Sequence, residues 1–280
     1  MKKAFILSAA AIAALTLFAS CNKEDQKPDN KKDDDVEATT NFAIDGKFAD
    51  WDALTAETAN EYDVIVPIND AYKSLKALKL SSTDSEILVY AEIAVDKLQL
   101  SETAYEGGNS NDGHGDGTPG PFILYLDLDG NPETGFTTHS DADGNPLIPG
   151  IGCEIGVEDY WFISAGDGKC YLGWSQIICE PTDAADGDEY QQESWWQNGG
   201  TGGWDPANDN LAPRLDSYKT EVAGAVMKVE FAMERSVLAS MCTRHEMGST
   251  IIVGARYFNN DMTASWGLSG LTKAATLKLR

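Results

Sequence analysis

The chain has 280 residues and a formal net charge of −24, from 45 acidic against 21 basic side chains. That balance disfavours nucleic acid and anionic lipid as partners, since both are polyanions, and it suits divalent cations and neutral ligands. Hydrophobic residues at 42% leave enough apolar surface for a packed core.

At the amino end, Lys2 and Lys3 precede an apolar run from Ala4 to Phe18, and the small pair Ala19-Ser20 stands before Cys21. The run is shorter than the ~20 residues of a spanning helix. Residues 1–20 therefore read as a secretory signal that is removed on export. A cysteine directly after the small pair resembles a lipoprotein signal, which makes Cys21 the acylated amino terminus. Phe18 departs from that pattern, which more often carries Leu. Attachment to a membrane is then expected through the lipid anchor only. Residues 21–40 hold Lys, Asp, Glu, Asn, Gln, Pro and Thr with almost nothing to bury, so a disordered tether is expected. Its runs Lys23-Glu24-Asp25 and Lys31-Lys32-Asp33-Asp34-Asp35 resemble the export tails of surface lipoproteins in the Bacteroides group. That resemblance implies surface display on an outer membrane.

Residues 41–280 are predicted to form one all-β domain. Ala77 to Leu80 and Ile87 to Val95 flank Ser81-Ser82-Thr83-Asp84-Ser85, a hairpin signal. Phe122 to Leu128 is the next strand, followed by Glu154 to Val157, Tyr160 to Ile163 and Tyr171 to Trp174. Later strands are predicted at Val222 to Met233, Ile251 to Phe258 and Ala275 to Leu279, with one short helix over Glu234 to Met241. Short strands divided by Gly, Asp and Asn turns predict an antiparallel β-sandwich of immunoglobulin-like or jelly-roll type. Two polar stretches, 102–120 and 182–213, are too long for hairpin turns, and loops of that length are usually functional or mobile. Cys153, Cys170, Cys179 and Cys242 remain after Cys21. Their even number in an exported chain points to two disulfides in one of three pairings, with buried free thiols as the alternative.

Two acidic turns attract attention. Calcium takes six to eight oxygens from carboxylates, carbonyls and amides. Asp127, Asp129 and Asn131 offer alternating ligands at the end of an apolar strand, and Asp141, Asp143 and Asn145 repeat the pattern fourteen residues on. The Gly stands at the fourth position and no Glu closes the loop, so neither copy is an EF-hand. Asp-Gly-Asn-Pro also makes tight turns by its own chemistry. The stretch Asn109 to Asp116 is a weaker metal candidate.

Sugar rings present C–H faces and hydroxyl edges, so they favour flat apolar side chains beside hydrogen-bonding groups. Trp195, Trp196 and Trp204, with Gln192 and Asn198 close in sequence, meet that need in a Gly-rich loop. Trp51, Trp161, Trp174 and Trp266 lie in or near predicted strands and are expected in the core.

Five segments together resemble domains of the family 9 carbohydrate-binding modules, related to the DOMON group. They are Phe42 to Trp51 with its Ile-Asp-Gly and Asp-Trp pairs, Leu88 to Ala91, Tyr125 to Phe136, Val229 to Leu238, and Ile251 to Phe258. The usual Pro is replaced by Glu234 or Arg235. The resemblance implies a β-sandwich that binds rather than catalyses, often a sugar and often with calcium. The long loops exceed those of the family, so the ligand does not carry over with the fold. Some DOMON relatives hold haem with Met and His. His245 and Met247, with Met227, Met233, Met241 and Met262, keep haem open beside another cofactor or a host protein. No nucleophile elbow, zincin helix or phosphate-cradling glycine loop occurs, and no enzymatic activity is expected.

Overall fold

A strand covered on both faces needs two sets of apolar partners. β4 (Phe122–Asp127) is buried at every position. Its Phe122, Leu124 and Leu126 enter a core between two sheets, while Ile123 and Tyr125 join a second cluster on the outer face. Alternation thus sends Asp127 outward, away from the main core, where a chain crossing over the sheet buries it completely.

The computed structural model describes residues 42–94, 122–163, 167–179, 185–190, 196–197, 200–201, 218–242, 244–261 and 265–280. The chain from Thr39 to Arg280 forms one compact unit. The signal, Cys21 and the tether lie outside the described residues.

One sheet has five strands: β1 (Asp63–Ile65), β2 (Leu75–Ser82), β3 (Glu86–Ala94), β9 (Lys219–Ala223) and β10 (Val226–Glu234), in the order β1-β2-β3-β10-β9. The other contains β4, β5 (Ile155–Ile163), β6 (Cys170–Cys179), β11 (Thr250–Asp261), β12 (Ser265–Leu271) and β13 (Ala275–Lys278). Its order is β12-β11-β4-β5-β6, and β13 pairs with the first residues of β11. Every pairing between these strands is antiparallel. Leu78, Leu80, Val89, Val229 and Phe231 of the first sheet meet Leu124, Val157, Val253 and Ala255 of the second. The chain is therefore an all-β antiparallel sandwich, as its alternating runs predict.

Several boundaries differ from the sequence reading. The run Val222 to Met233 is two strands, because Gly224 takes φ +64° and turns the chain between β9 and β10. The runs on either side of Glu158-Asp159 are one strand, β5, with a bulge between Tyr160 and Trp161. Two short helices occur among the described residues where one is predicted: α1 (Ala49–Ala53) and α2 (Arg235–Met241). Cys153, Cys170, Cys179 and Cys242 form no disulfide among the described residues. Cys170 and Cys179 stand at opposite ends of β6, and at ~3.3 Å per residue they lie far beyond the reach of a bridge.

The Phe42 to Trp51 segment explains itself in the fold. Phe48, Trp51 and Leu54 cover Leu88, Tyr90 and Ala232 on the outer face of the five-stranded sheet. Trp51 stacks on Tyr90 at 5.5 Å. The Lys79 ammonium donates to the carbonyls of Trp51 and Leu54 at 2.6 and 3.0 Å, closing the carboxyl end of α1. Trp161 is buried in the main core and Trp51 in this outer layer; Trp174 and Trp266 lie on β6 and β12.

Candidate functional site

Beyond Asp127 the chain leaves the sheet through Leu128 and turns at Asp129. It returns to the sheet at Glu154, whose N–H donates to the Leu126 carbonyl at 3.1 Å. This pairing of β4 with the start of β5 brings three acids together. One carboxylate oxygen from each of Asp127, Asp129 and Glu154 lies within 4.8 Å of the others. Two ligands of one calcium ion, each bound at ~2.3–2.6 Å, stand no farther apart than about twice that distance. The spacing therefore fits a shared cation.

Backbone and hydroxyl donors hold each acid. Gly152 N–H donates to Asp127 Oδ2 at 3.1 Å, and Leu128 N–H donates to Glu154 Oε2 at 2.6 Å. Asp129 accepts from Asn131 N–H and from the Thr134 hydroxyl, both at 2.8 Å. Asp127 Oδ1 is buried and has no hydrogen-bond partner. A buried carboxylate oxygen with no donor is costly, and either a cation or a bound proton would satisfy it. Burial pushes the Asp127 carboxyl up to about 6; the Gly152 N–H holds it back in part, and the Asp129 charge adds to the rise.

The sequence pointed to Asp127 and Asp129 but not to Glu154. No spacing rule joins Glu154 to the turn; only the β4–β5 pairing does. Asn131 is exposed, and its side-chain oxygen accepts from Glu133 N–H at 3.3 Å. Asp141, Asp143 and Asn145 occupy a separate exposed turn. There Asp141 Oδ1 accepts the backbone N–H groups of Asp143 and Asn145, each at 2.9 Å. The Asn145 N–H holds the Asp141 carboxyl below the usual range. The repeat of the motif is thus a turn closed on its own backbone, and among the described residues no third acid is grouped with its carboxylates as Glu154 is with Asp127 and Asp129. The stretch Asn109 to Asp116 lies outside the described residues.

A strap over residues 185–190 runs beside this site. Gly187 N–H donates to Gly135 O at 2.9 Å, Thr137 N–H to Asp188 O at 2.8 Å, and Tyr190 N–H to Thr137 O at 3.0 Å. The Tyr190 ring is buried among Tyr125, Phe136 and His139. Asp186 accepts from Arg244 at 2.8 Å and lies 3.2 Å from His245 Nε2. His245 Nδ1 in turn stands 3.8 Å from Asp129 Oδ2.

The tryptophan segment follows the strap. Trp196 opens β7 (Trp196–Gln197), which pairs with β8 (Gly200–Thr201) so that Trp196 faces Thr201 in register. Trp195, Trp204, Gln192 and Asn198 lie outside the described residues. His245, weighed for haem, sits between Asp129 and Asp186, and His139 sits between Tyr125 and Arg256. Met227, Met233 and Met241 are buried in the main core. Compared with protein-family models and with curated proteins, the chain matches none.

Proposed function

We propose that the protein is a lipid-anchored binding module of the outer membrane surface that captures a glycan through its tryptophan segment. Calcium, held by Asp127, Asp129 and Glu154, braces the acidic turn. Trp195, Trp196 and Trp204 supply apolar faces for sugar rings, and Gln192 and Asn198 supply hydrogen bonds to hydroxyls.

The observation that carries this reading is the placement of Tyr190. Its ring is buried on the sheet, and Trp195 and Trp196 follow five and six residues later. A binding segment rooted on a rigid element loses less freedom on capture than a free loop does. The three gathered carboxylates support the calcium part independently. The signal pattern ending at Cys21 and the mixed-charge tether support surface display.

A glycan array probed with the full chain in calcium buffer tests the reading. Binding to at least one neutral glycan is expected, with loss in the Trp195→Ala, Trp196→Ala double variant while the circular dichroism spectrum is kept. Binding to no glycan on the array would overturn it. No contact described above favours haem; a Soret band on the purified protein would.

A further inference from the structure

We infer that cation binding at Asp127, Asp129 and Glu154 fixes the 185–190 strap, and so makes ligand capture by the segment after Tyr190 dependent on calcium. This rests on the calcium reading above and adds a route from the ion to the ligand. Asp127 supplies the reason to expect an ion: it is wholly buried, and its Oδ1 has no partner beside two further carboxylates.

The route runs through one short rim, Thr134 to Thr137. On one side the rim belongs to the acidic site. The Thr134 hydroxyl donates to Asp129 Oδ2 at 2.8 Å. Gly135 lies so close to Glu154 that an added Cβ would stand 2.6 Å from Oε1, and its φ is +70°, so only glycine fits there. On the other side the same residues carry the strap. Gly135 N–H donates to Asp186 Oδ1 at 3.3 Å, and Gly135 O accepts from Gly187 N–H at 2.9 Å. Thr137 exchanges bonds with Asp188 and Tyr190. A displacement of Asp129 or Glu154 therefore moves the atoms to which the strap is bonded.

His245 provides a second link. It faces Asp129 at 3.8 Å and Asp186 at 3.2 Å. Without a cation, two carboxylates compete for one imidazole, and the three gathered acids repel each other. A dication beside Asp129 satisfies that carboxylate and leaves His245, with Arg244, to Asp186. The ion therefore favours the strapped arrangement over an opened one, and by linkage a ligand that needs the strap raises calcium affinity by the same factor.

Hydrogen–deuterium exchange on the full chain, with and without calcium, reads the strap directly. Exchange at the Gly187 and Tyr190 amides is expected to slow by about tenfold or more at saturating calcium, as local opening is suppressed. Asp186→Ala is expected to bind calcium as the wild type does, measured by calorimetry, yet to lose that slowing and the calcium dependence of glycan binding. Calcium binding with unchanged strap exchange in the wild type overturns this inference and leaves the metal site standing. Absence of calcium binding in calorimetry overturns both. An Asp186→Ala strap that still responds fully to calcium overturns the route through Asp186.

Discussion

The indole N–H of Trp51 donates to Glu230 Oε2 at 2.9 Å, across 179 positions of sequence. The second oxygen of the same carboxylate accepts from Gly46 N–H at 2.6 Å. One buried acid on β10 thus locks both the glycine turn and the tryptophan of the opening segment. Burial raises the Glu230 carboxyl, and these two donors lower it again in part. Glu230→Ala leaves the buried Trp51 donor and the half-buried Gly46 donor unmet and is expected to cost about 3 kcal/mol in urea unfolding. Glu230→Gln keeps one acceptor and should cost clearly less. Equal stability of Ala and wild type would show that the lock contributes nothing.

Gly156 on β5 is the floor beneath Tyr190. A Cβ at that position would lie 2.0 Å from the Tyr190 hydroxyl oxygen and 2.5 Å from two ring carbons. Gly156→Ala therefore expels the tyrosine or distorts the strand, at an expected cost of about 2–3 kcal/mol. In a Tyr190→Ala background the same change should cost little. A double-mutant cycle by chemical denaturation measures the coupling, and a coupling energy near zero would contradict the contact.

Calcium binding to the folded state alone raises stability by about 2.7 kcal/mol at a hundredfold excess over Kd. For a domain of this size that corresponds to a Tm rise of roughly 5–10 °C. Asp127→Asn should remove the rise, and Glu154→Gln should reduce it strongly. Asp141→Ala should leave it intact, because that carboxylate serves its own turn. Differential scanning calorimetry with and without calcium separates the two turns; a rise lost in Asp141→Ala would reverse the assignment.

His139 gives the fold an acid-sensitive element. Arg256 can only donate, so the 2.9 Å contact to Nε2 makes that nitrogen the acceptor, and Nδ1–H donates to the Tyr125 hydroxyl at 2.8 Å. Burial first, and then the Arg256 charge, lower the imidazole to about 2 from its ordinary 6.5. The unfolded chain therefore binds the extra proton between those values. The stability contribution is complete above about 6.5 and falls as the pH drops, by ~1.4 kcal/mol per unit. Asp127 and Glu230, both raised, act in the opposite sense. The difference between wild type and His139→Gln isolates the histidine, since glutamine can still accept from Arg256. Relative to the variant, the wild type should lose roughly 2–3 kcal/mol between pH 6.5 and 4.5. A flat difference would remove the assignment.

The sandwich was legible wherever strands alternate or run apolar. β4 stands out as an unbroken apolar run from Phe122 to Leu126 and β3 as one from Ile87 to Ala91, while β10 and β11 are apolar runs broken only by Lys228, Glu230, Gly254 and Arg256. β12 does not: Gly267, Ser269 and Gly270 dilute its pattern, and Gly270 packs against Leu75 where a side chain would clash. β5 looked like two strands because Glu158 and Asp159 sit in its middle, and acids usually mark strand ends. Both are buried, and both have interactions within the fold. The α1 turn is five residues long, too short for a helical period to show. Two of the three gathered acids were readable for the same reason that β4 was: Asp127 and Asp129 lie on one continuous segment. Glu154, Asp186 and His245 reach it from three other parts of the chain. Only strand pairing and loop crossing bring them there, and no local rule encodes that.

β11 is twelve residues long and shares one flank between two neighbours. β12 covers Arg256 to Asp261, and β13 covers Thr250 to Val253. The four residues of β13 are thus a guard against self-association. A chain ending at Lys273 would bare the backbone ladder of Thr250 to Val253 beside Ile251 and Val253, an apolar template for strands of other molecules. Such a shortened protein also loses the buried Leu277 and Leu279, so it is expected to be less stable as well as prone to polymerise edge to edge.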